Sequence, residues 1–221
     1  MSKSTSKDNL ERILREGTKE LGILLSKEKI ILFHRYMEEL KEWNKGFNLT
    51  SITEDREIII KHFIDSLTLL RFLKPSWKLL DIGSGAGFPG VPLKIVMPEL
   101  KVTLLEAKEK KVFFLRHIIR TFGLKGIDAL YGRAEDMAKK KELRETFDIV
   151  VSRALSSLKD FISIGLPFVK EGGILSSIKG KNCLRETEML NLPNVKPIVR
   201  EIIKPPFSDR ETVILVYQKV F

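Results

Sequence analysis

Gly83, Gly85, Gly87 and Gly90 fall within eight positions of the stretch LLDIGSGAGFPGVPLKI (79–95), directly after a short apolar run. A glycine-rich turn after a strand brings the backbone close to a ligand where no Cβ is tolerated, and the helix that follows can face an anion with its amino terminus. Residues 85–90 also satisfy the G-x-G-x-x-G pattern of dinucleotide-binding folds. In such folds an acidic residue roughly 20 positions on accepts from the adenosine ribose, and Glu106 stands 19 after Gly87. Glu106 serves a nicotinamide dinucleotide and S-adenosylmethionine equally. It also fits a plain helix-start carboxylate stabilised by the macrodipole.

Three features separate the two ligands. Asp81 ends the apolar run just before the glycines, where its charge repels a pyrophosphate and suits the ammonium of a methionine moiety. Pro89 and Pro92 reshape the start of the next helix, which a pyrophosphate site does not require. Two late strand-like stretches, VKPIVREIIK and RETVILVYQK, lack a helix-length connection, so they form an antiparallel hairpin foreign to the six-stranded parallel dinucleotide fold. Together these favour S-adenosylmethionine, with an NAD-linked oxidoreductase as the alternative.

The elements that must position these residues follow from periodicity. From residue 76 the texture alternates strand and helix: KLLDI, KVTLLEA, GIDALYG, FDIVVSR and GGILSSIKG precede the hairpin, with KEKKVFFLRHIIRTFG and LKDFISIGLPFV as helices between strands. This predicts an α/β core at 76–221 with a mostly parallel seven-stranded sheet closed by the C-terminal hairpin. Residues 1–75 read as a helical extension, with Leu21, Leu24, Leu25, Ile30, Ile31, Leu32, Phe33, Tyr36, Met37 and Leu40 on its buried face. Turn formers interrupt it at 44–55, Thr53 is placed to start a further helix through REIIIKHFIDSLTLLRFL, and Pro75 ends that helix.

Composition bounds the class. Lys and Arg total 39 against 29 Asp and Glu, a net charge of +10, which favours a polyanionic partner. The single cysteine, Cys183, excludes an internal disulfide framework and a multi-cysteine zinc site. No run approaches the ~18 apolar residues of a membrane span, and the start MSKSTSKDNL lacks a secretory apolar stretch. A cytoplasmic protein without membrane partner or metal is expected, and no coiled-coil seam argues against a monomer.

The blocks NLTSITEDREIIIKHFIDSL, LLDIGSGAGFPGVPLKI, RAED and VVSRA occur in this order over nearly the whole chain. The core resembles class I, Rossmann-like SAM-dependent methyltransferases, and the joint blocks resemble the RsmG family, also called glucose-inhibited division protein B. The resemblance implies methylation of N7 of a guanosine in the decoding-region loop of bacterial 16S rRNA, with S-adenosyl-L-homocysteine as product and 16S rRNA or the small ribosomal subunit as partner. It also implies that Gly83 and Phe88 lie against the donor, with Gly85 and Gly87 giving close backbone approach, and that Ala134 and Glu135 bind adenine. Arg153 is the family's arginine for the donor carboxylate or an RNA phosphate. Asn44, Asn48 and Arg210 are RNA-facing by family position.

Local alternatives stand beside these roles. A helix cap explains Glu135 nearly as well, and His62 with Asp65, three apart on one helix, fits a core histidine bonded to a carboxylate. Lys108, Lys110, Lys111, Arg116 and Arg120 crowd one helix and Lys139–Lys141 form a run, which solvated faces also do. Lys179 and Lys181 flank Gly180 at the cofactor edge, where phosphate binding is the stronger reading. An adenine N6 enzyme would need Asn-Pro-Pro-aromatic where this chain has SRAL (152–155), KPPF (204–207) reads as a hairpin turn, and Cys183 is not placed as the nucleophile of a cytosine C5 enzyme. Guanine N7 carries a lone pair and no proton, so no general base is sought and no catalytic residue is assigned. A non-catalytic, donor-binding RNA factor is the remaining alternative.

Overall fold

The computed structural model describes residues 2–153, 157–183 and 194–220. Strands β1 (Lys78–Ile82), β2 (Lys101–Glu106), β3 (Ile127–Tyr131), β4 (Phe147–Arg153), β5 (Val169–Gly180), β6 (Val195–Ile203) and β7 (Thr212–Lys219) form one sheet in the order β3-β2-β1-β4-β5-β7-β6. The first five pair in parallel, and β7 runs antiparallel to both β5 and β6. Strand order reverses at β1, so the crevice at the carboxyl ends of β1 and β4 is the switch point where open sheets bind ligands. The sequence-based strands recur with small changes of boundary. β5 begins three residues before Gly172 and shifts register against β4 between Phe147 and Ile149.

Both faces of the sheet are covered, which is why β1 and β4 are buried almost throughout and read as apolar runs instead of alternating ones. On one face lie α5 (Gly90–Val96), α6 (Glu109–Thr121) and the amino-terminal helices α1 (Ser2–Glu20) and α2 (Lys27–Phe47). On the other lie α7 (Ala134–Met137) and α8 (Leu158–Gly165). The amino-terminal residues Leu14, Ile30, Phe33, Tyr36 and Leu40 belong to the same apolar cluster as Phe88, Phe114 and Leu115 of the core. The extension therefore folds onto the sheet's own helices.

Ser26 caps α2 by accepting from the Lys29 amide, and Asn48 ends it in the left-handed region at φ 49. Leu24, expected inside, is 81% exposed, because it lies in the connection between α1 and α2 where helical periodicity does not apply; Ile31 is exposed on the outer face of α2. The helix expected through 56–73 is broken. It begins at Asp55 behind Glu54, not at Thr53, runs as α3 (Asp55–Ile58), widens into a π-helical segment Ile59–Ile64, and resumes as α4 (Asp65–Leu67). A 3-10 turn Leu70–Phe72 ends it before Pro75 is reached. The widened turn leaves the Lys61 carbonyl to an outside donor, Arg153, which explains the break.

Candidate active site

Strand β1 delivers Asp81 and Ile82 to the carboxyl edge, and the chain then turns through Gly83 and Gly85 in the left-handed region at φ 69 and 60. Each is a conformation that residues with a Cβ seldom hold. A Cβ on Gly83 would meet nothing within 4 Å, so this backbone opens onto a cleft. The cleft has a volume of about 220 Å³ and is lined by Gly83, Glu106, Ala107, Gly132, Ala134 and Glu135 among others. That is below the ~300–1,000 Å³ of clefts that engulf drug-sized ligands, so it suits a compact nucleoside, with the remainder of a donor along the glycine loop. A larger hollow of about 530 Å³ lies at the amino edge of the sheet beside Glu145, Pro167 and Val195, and holds none of the residues singled out in the sequence.

Glu106 ties the cleft to the loop. One carboxylate oxygen accepts the Gly85 amide and the other the Lys108 amide, each at 2.8 Å. A carboxylate oxygen has a second lone pair, so both oxygens keep an acceptor position for vicinal ribose hydroxyls. Asp81 is fully buried behind the loop: Oδ2 accepts the Gly90 amide at 2.8 Å, and Oδ1 has no hydrogen-bond partner among the described residues. Burial pushes its carboxyl up to about 7, opposed by the Gly90 bond and by Arg153. An ammonium at that carboxylate would satisfy the unpartnered oxygen. The acceptor pair, the open Gly83 backbone and this buried carboxylate fit the ribose, the methionine chain and the amino group of S-adenosylmethionine.

The structure thus brings Gly83, Glu106, Ala134 and Glu135 to one cleft, with Gly85 bonded to Glu106 and Asp81 beneath. It turns Gly87, Phe88 and Arg153 the other way, against the amino-terminal helices. A Cβ on Gly87 would stand 2.6 Å from the Tyr36 hydroxyl and 2.7 Å from Val91. Phe88 is buried, stacked on His62 at 4.4 Å and on Tyr36 at 5.4 Å, with the Arg153 guanidinium 5.1 Å from its ring centre. Tyr36 donates its hydroxyl to the Ala86 carbonyl inside the loop. Tyr36 is the functional candidate that sequence reasoning passed over, since on α2 it looked like one more apolar position.

Arg153 is the centre of a buried network. It donates to the Lys61 carbonyl at 2.6 Å and to His62 Nδ1 at 2.8 Å, and stands 3.7 Å from Asp65. A guanidinium only donates, so His62 Nδ1 accepts and the imidazole proton sits on Nε2, which donates to the Thr50 hydroxyl at 2.9 Å. Burial, reinforced by Arg153, holds His62 down at about 3, so it is neutral. The pairing of His62 with Asp65 is corrected accordingly: Asp65 accepts from Thr212 and faces Arg153. The network joins β4, the π-helical segment, β7 and the loop after α2.

Among residues assigned to RNA, Lys179 and Lys181 stand at the carboxyl end of β5, and Lys181 is ion-paired with Glu211. Asn48 is exposed at its cap, Asn44 accepts the Thr50 amide at 2.9 Å, and Arg210 is exposed in the β6–β7 connection. KPPF lies in that connection as expected. Cys183 is buried in a short 3-10 turn (Lys181–Cys183), and Ala154 falls outside the described residues. Among the described residues no group of His, Cys, Asp and Glu could hold a metal ion, and no helix is long and apolar enough to cross a membrane.

Comparison with known proteins bears on this geometry. Residues 29–205 match the family model GidB, rRNA small subunit methyltransferase G. The chain is 40% identical over 220 residues to ribosomal RNA small subunit methyltransferase G of Thermoanaerobacter sp. (strain X514), covering 97% of this chain and 92% of that protein. It is 42% identical to the protein of the same name from Acetivibrio thermocellus, covering 95% and 88%. A SAM-dependent methyltransferase from Aquifex aeolicus shares the fold, with a TM-score of 0.57 at 18% identity, over 78% of this chain and 97% of that one.

Proposed function

Because this chain belongs to the rRNA small subunit methyltransferase G family, we propose that it moves a methyl group from S-adenosylmethionine to N7 of one guanosine in the decoding-region loop of bacterial 16S rRNA. The observation that carries the donor assignment is the buried Asp81 carboxylate, whose Oδ1 has no partner among the described residues, beside Glu106, one oxygen of which anchors the glycine loop through Gly85 while the other accepts the Lys108 amide. Ala134 and Glu135 at the start of α7 take the adenine edge, and Asp81 receives the ammonium through the oxygen that lacks a partner. The dinucleotide alternative is set aside, since the buried Asp81 does not suit a pyrophosphate and the family match is to methyltransferases.

The bound donor supplies an electrophilic methyl on a sulfonium and leaves as the neutral thioether S-adenosylhomocysteine. Guanine N7 attacks with an in-plane lone pair, so no proton changes hands and the chain needs no general base. This agrees with a neutral His62 turned to Arg153 and Thr50, and with an Asp65 held by Arg153 and Thr212. What the chain contributes is alignment, an effect reaching roughly 7–11 kcal/mol in favourable cases. Arg153 acts as a positioning residue: it fixes Phe88 and the π-helical segment at the carboxyl end of β4.

We place the donor-binding core at 76–221 and treat 1–75 as the wall that braces its glycine loop. Lys179, Lys181, Arg210 and Asn48 hold RNA phosphates at the same edge, and the enzyme works as a cytoplasmic monomer. Incubation with labelled S-adenosylmethionine and small-subunit RNA lacking the modification tests the reading. One methyl per RNA, released by cleavage at N7-methylguanosine, is expected. Label on a ribose or a pyrimidine, or none on a competent particle, contradicts it.

A further inference from the structure

Helix α6 carries a group of cations that neither the donor cleft nor the buried network uses. Lys110, Phe113, Arg116 and Arg120 are exposed along it, and Phe113 shows 52% of its surface to solvent. Lys110 and Arg120 form no ion pair within the described residues. Arg116 donates to the Ala129 carbonyl of β3 at 3.2 Å through its terminal nitrogen, which fixes helix against strand. Ala129 is buried in the cluster that α6 covers, and alternate strand residues share a face, so Tyr131 points to the same side. It too is 52% exposed.

The two rings are brought level by topology. As a crossover between parallel strands, α6 runs back against β3. Phe113 therefore lies about 4.5 Å along the helix from Arg116 toward the carboxyl edge, and Tyr131 lies roughly 6.6 Å beyond Ala129 in the same direction. In register, Tyr131 pairs with Glu106 on β2, the residue that closes the donor cleft. Glu109 is the one exposed acid in the first turn of α6 and sits among more numerous cations.

Exposed aromatic rings flanked by unpaired cations fit single-stranded nucleic acid, whose bases stack and whose phosphates seek positive charge. We infer that the α6–β3 face, through Phe113 and Tyr131 with Lys110, Arg116 and Arg120, is a stacking platform for single-stranded RNA that flanks the donor cleft. The inference rests on the RNA substrate proposed above and extends the contact surface beyond the β5 edge.

The test uses the full chain, a short single-stranded RNA of mixed sequence and the same sequence as a duplex. Phe113→Gln and Tyr131→Gln are each expected to weaken single-strand binding by about tenfold while affecting duplex binding far less. Lys110→Gln and Arg120→Gln should each reduce the slope of log affinity against log salt by about 0.7. Phe113→Tyr and Tyr131→Phe keep a ring and should bind as the parent does, whereas Phe113→Leu should not, so loss of folding and loss of stacking are told apart. Unchanged single-strand affinity in both glutamine variants overturns the platform. An unmodified chain that binds this RNA in the expected way yet labels no guanosine of small-subunit RNA lacking the modification would instead overturn the methyl-transfer reading alone.

Discussion

Replacing Tyr36 by Phe deletes one oxygen from a ring already packed among Phe63, Phe88 and Phe114. Shape and apolar contact survive, and what disappears is the donor to the Ala86 carbonyl in the glycine loop. A buried carbonyl left without a partner costs about 1–3 kcal/mol, offset in part because a buried hydroxyl no longer has to be desolvated. A net loss of about 1–2 kcal/mol in unfolding free energy follows, read as a lower urea midpoint with unchanged slope. If the bond also holds the loop in its donor-binding shape, the same change should appear in the calorimetric affinity for S-adenosylmethionine, a weakening of roughly 5- to 30-fold. Two glycines sharpen the contrast. Gly87→Ala should unfold the chain, since its Cβ would meet Tyr36 and Val91 at φ +99, whereas the Cβ of Gly83→Ala meets open space and costs only the backbone strain of φ +69, about 1–2 kcal/mol, beside a loss of donor binding. Stability lost in Tyr36→Phe with donor affinity intact would refute the loop-bracing role.

Glu106→Gln keeps the side-chain shape but turns one acceptor into a donor facing either the Gly85 or the Lys108 amide; with about 1.5–3 kcal/mol lost per charged hydrogen bond, donor affinity should drop at least ~tenfold by calorimetry, and an unchanged affinity would remove Glu106 from the site. His62, held at about 3 when folded against 6.5 otherwise, binds its proton more readily in the unfolded chain. Its share of stability is therefore full above pH 6.5 and is lost as pH falls toward 3, by up to ~1.4 kcal/mol per pH unit; His62→Asn should flatten that limb of the denaturation profile. Asp81 behaves oppositely: with its carboxyl raised from 3.8 to about 7, its stabilising protonated form is lost as pH rises between those values. Binding a donor ammonium favours the charged form, so donor affinity should climb about tenfold from pH 6 to 8, and a climb that persists in Asp81→Asn would place the titration elsewhere.

The sheet was legible because each strand sits between clear turn signals, and the fully buried β1 and β4 announce themselves as continuous apolar runs. Glu106 was legible from spacing, and the structure sets it beside Gly85. Less could be read where long-range contacts decide. Helical periodicity continues through Leu24, which the chain leaves in a connection, and through 56–73, where the helix gives up regular hydrogen bonding so that Lys61 can bond Arg153. A carbonyl that accepts from a residue 92 positions away leaves no local mark. The direction of side chains was equally hidden: Gly87 and Phe88 share a motif with Gly83, and Arg153 ends β4 at the same sheet edge, yet only the packing of α2 and the π-helical segment reveals that they face Tyr36 and His62. Tyr36 itself matched the apolar face so well that its hydroxyl carried no signal.

The central claim is that this chain places one methyl group on N7 of one guanosine of the small-subunit RNA. Mass analysis of that RNA from cells lacking the protein, beside RNA from their parent, tests it most directly. The account predicts the loss of a single methyl, at a guanosine in the decoding-region loop where the parental RNA is cleaved by N7-methylguanosine chemistry. RNA with every methyl group still in place, or lacking one from a ribose or a pyrimidine, would contradict it.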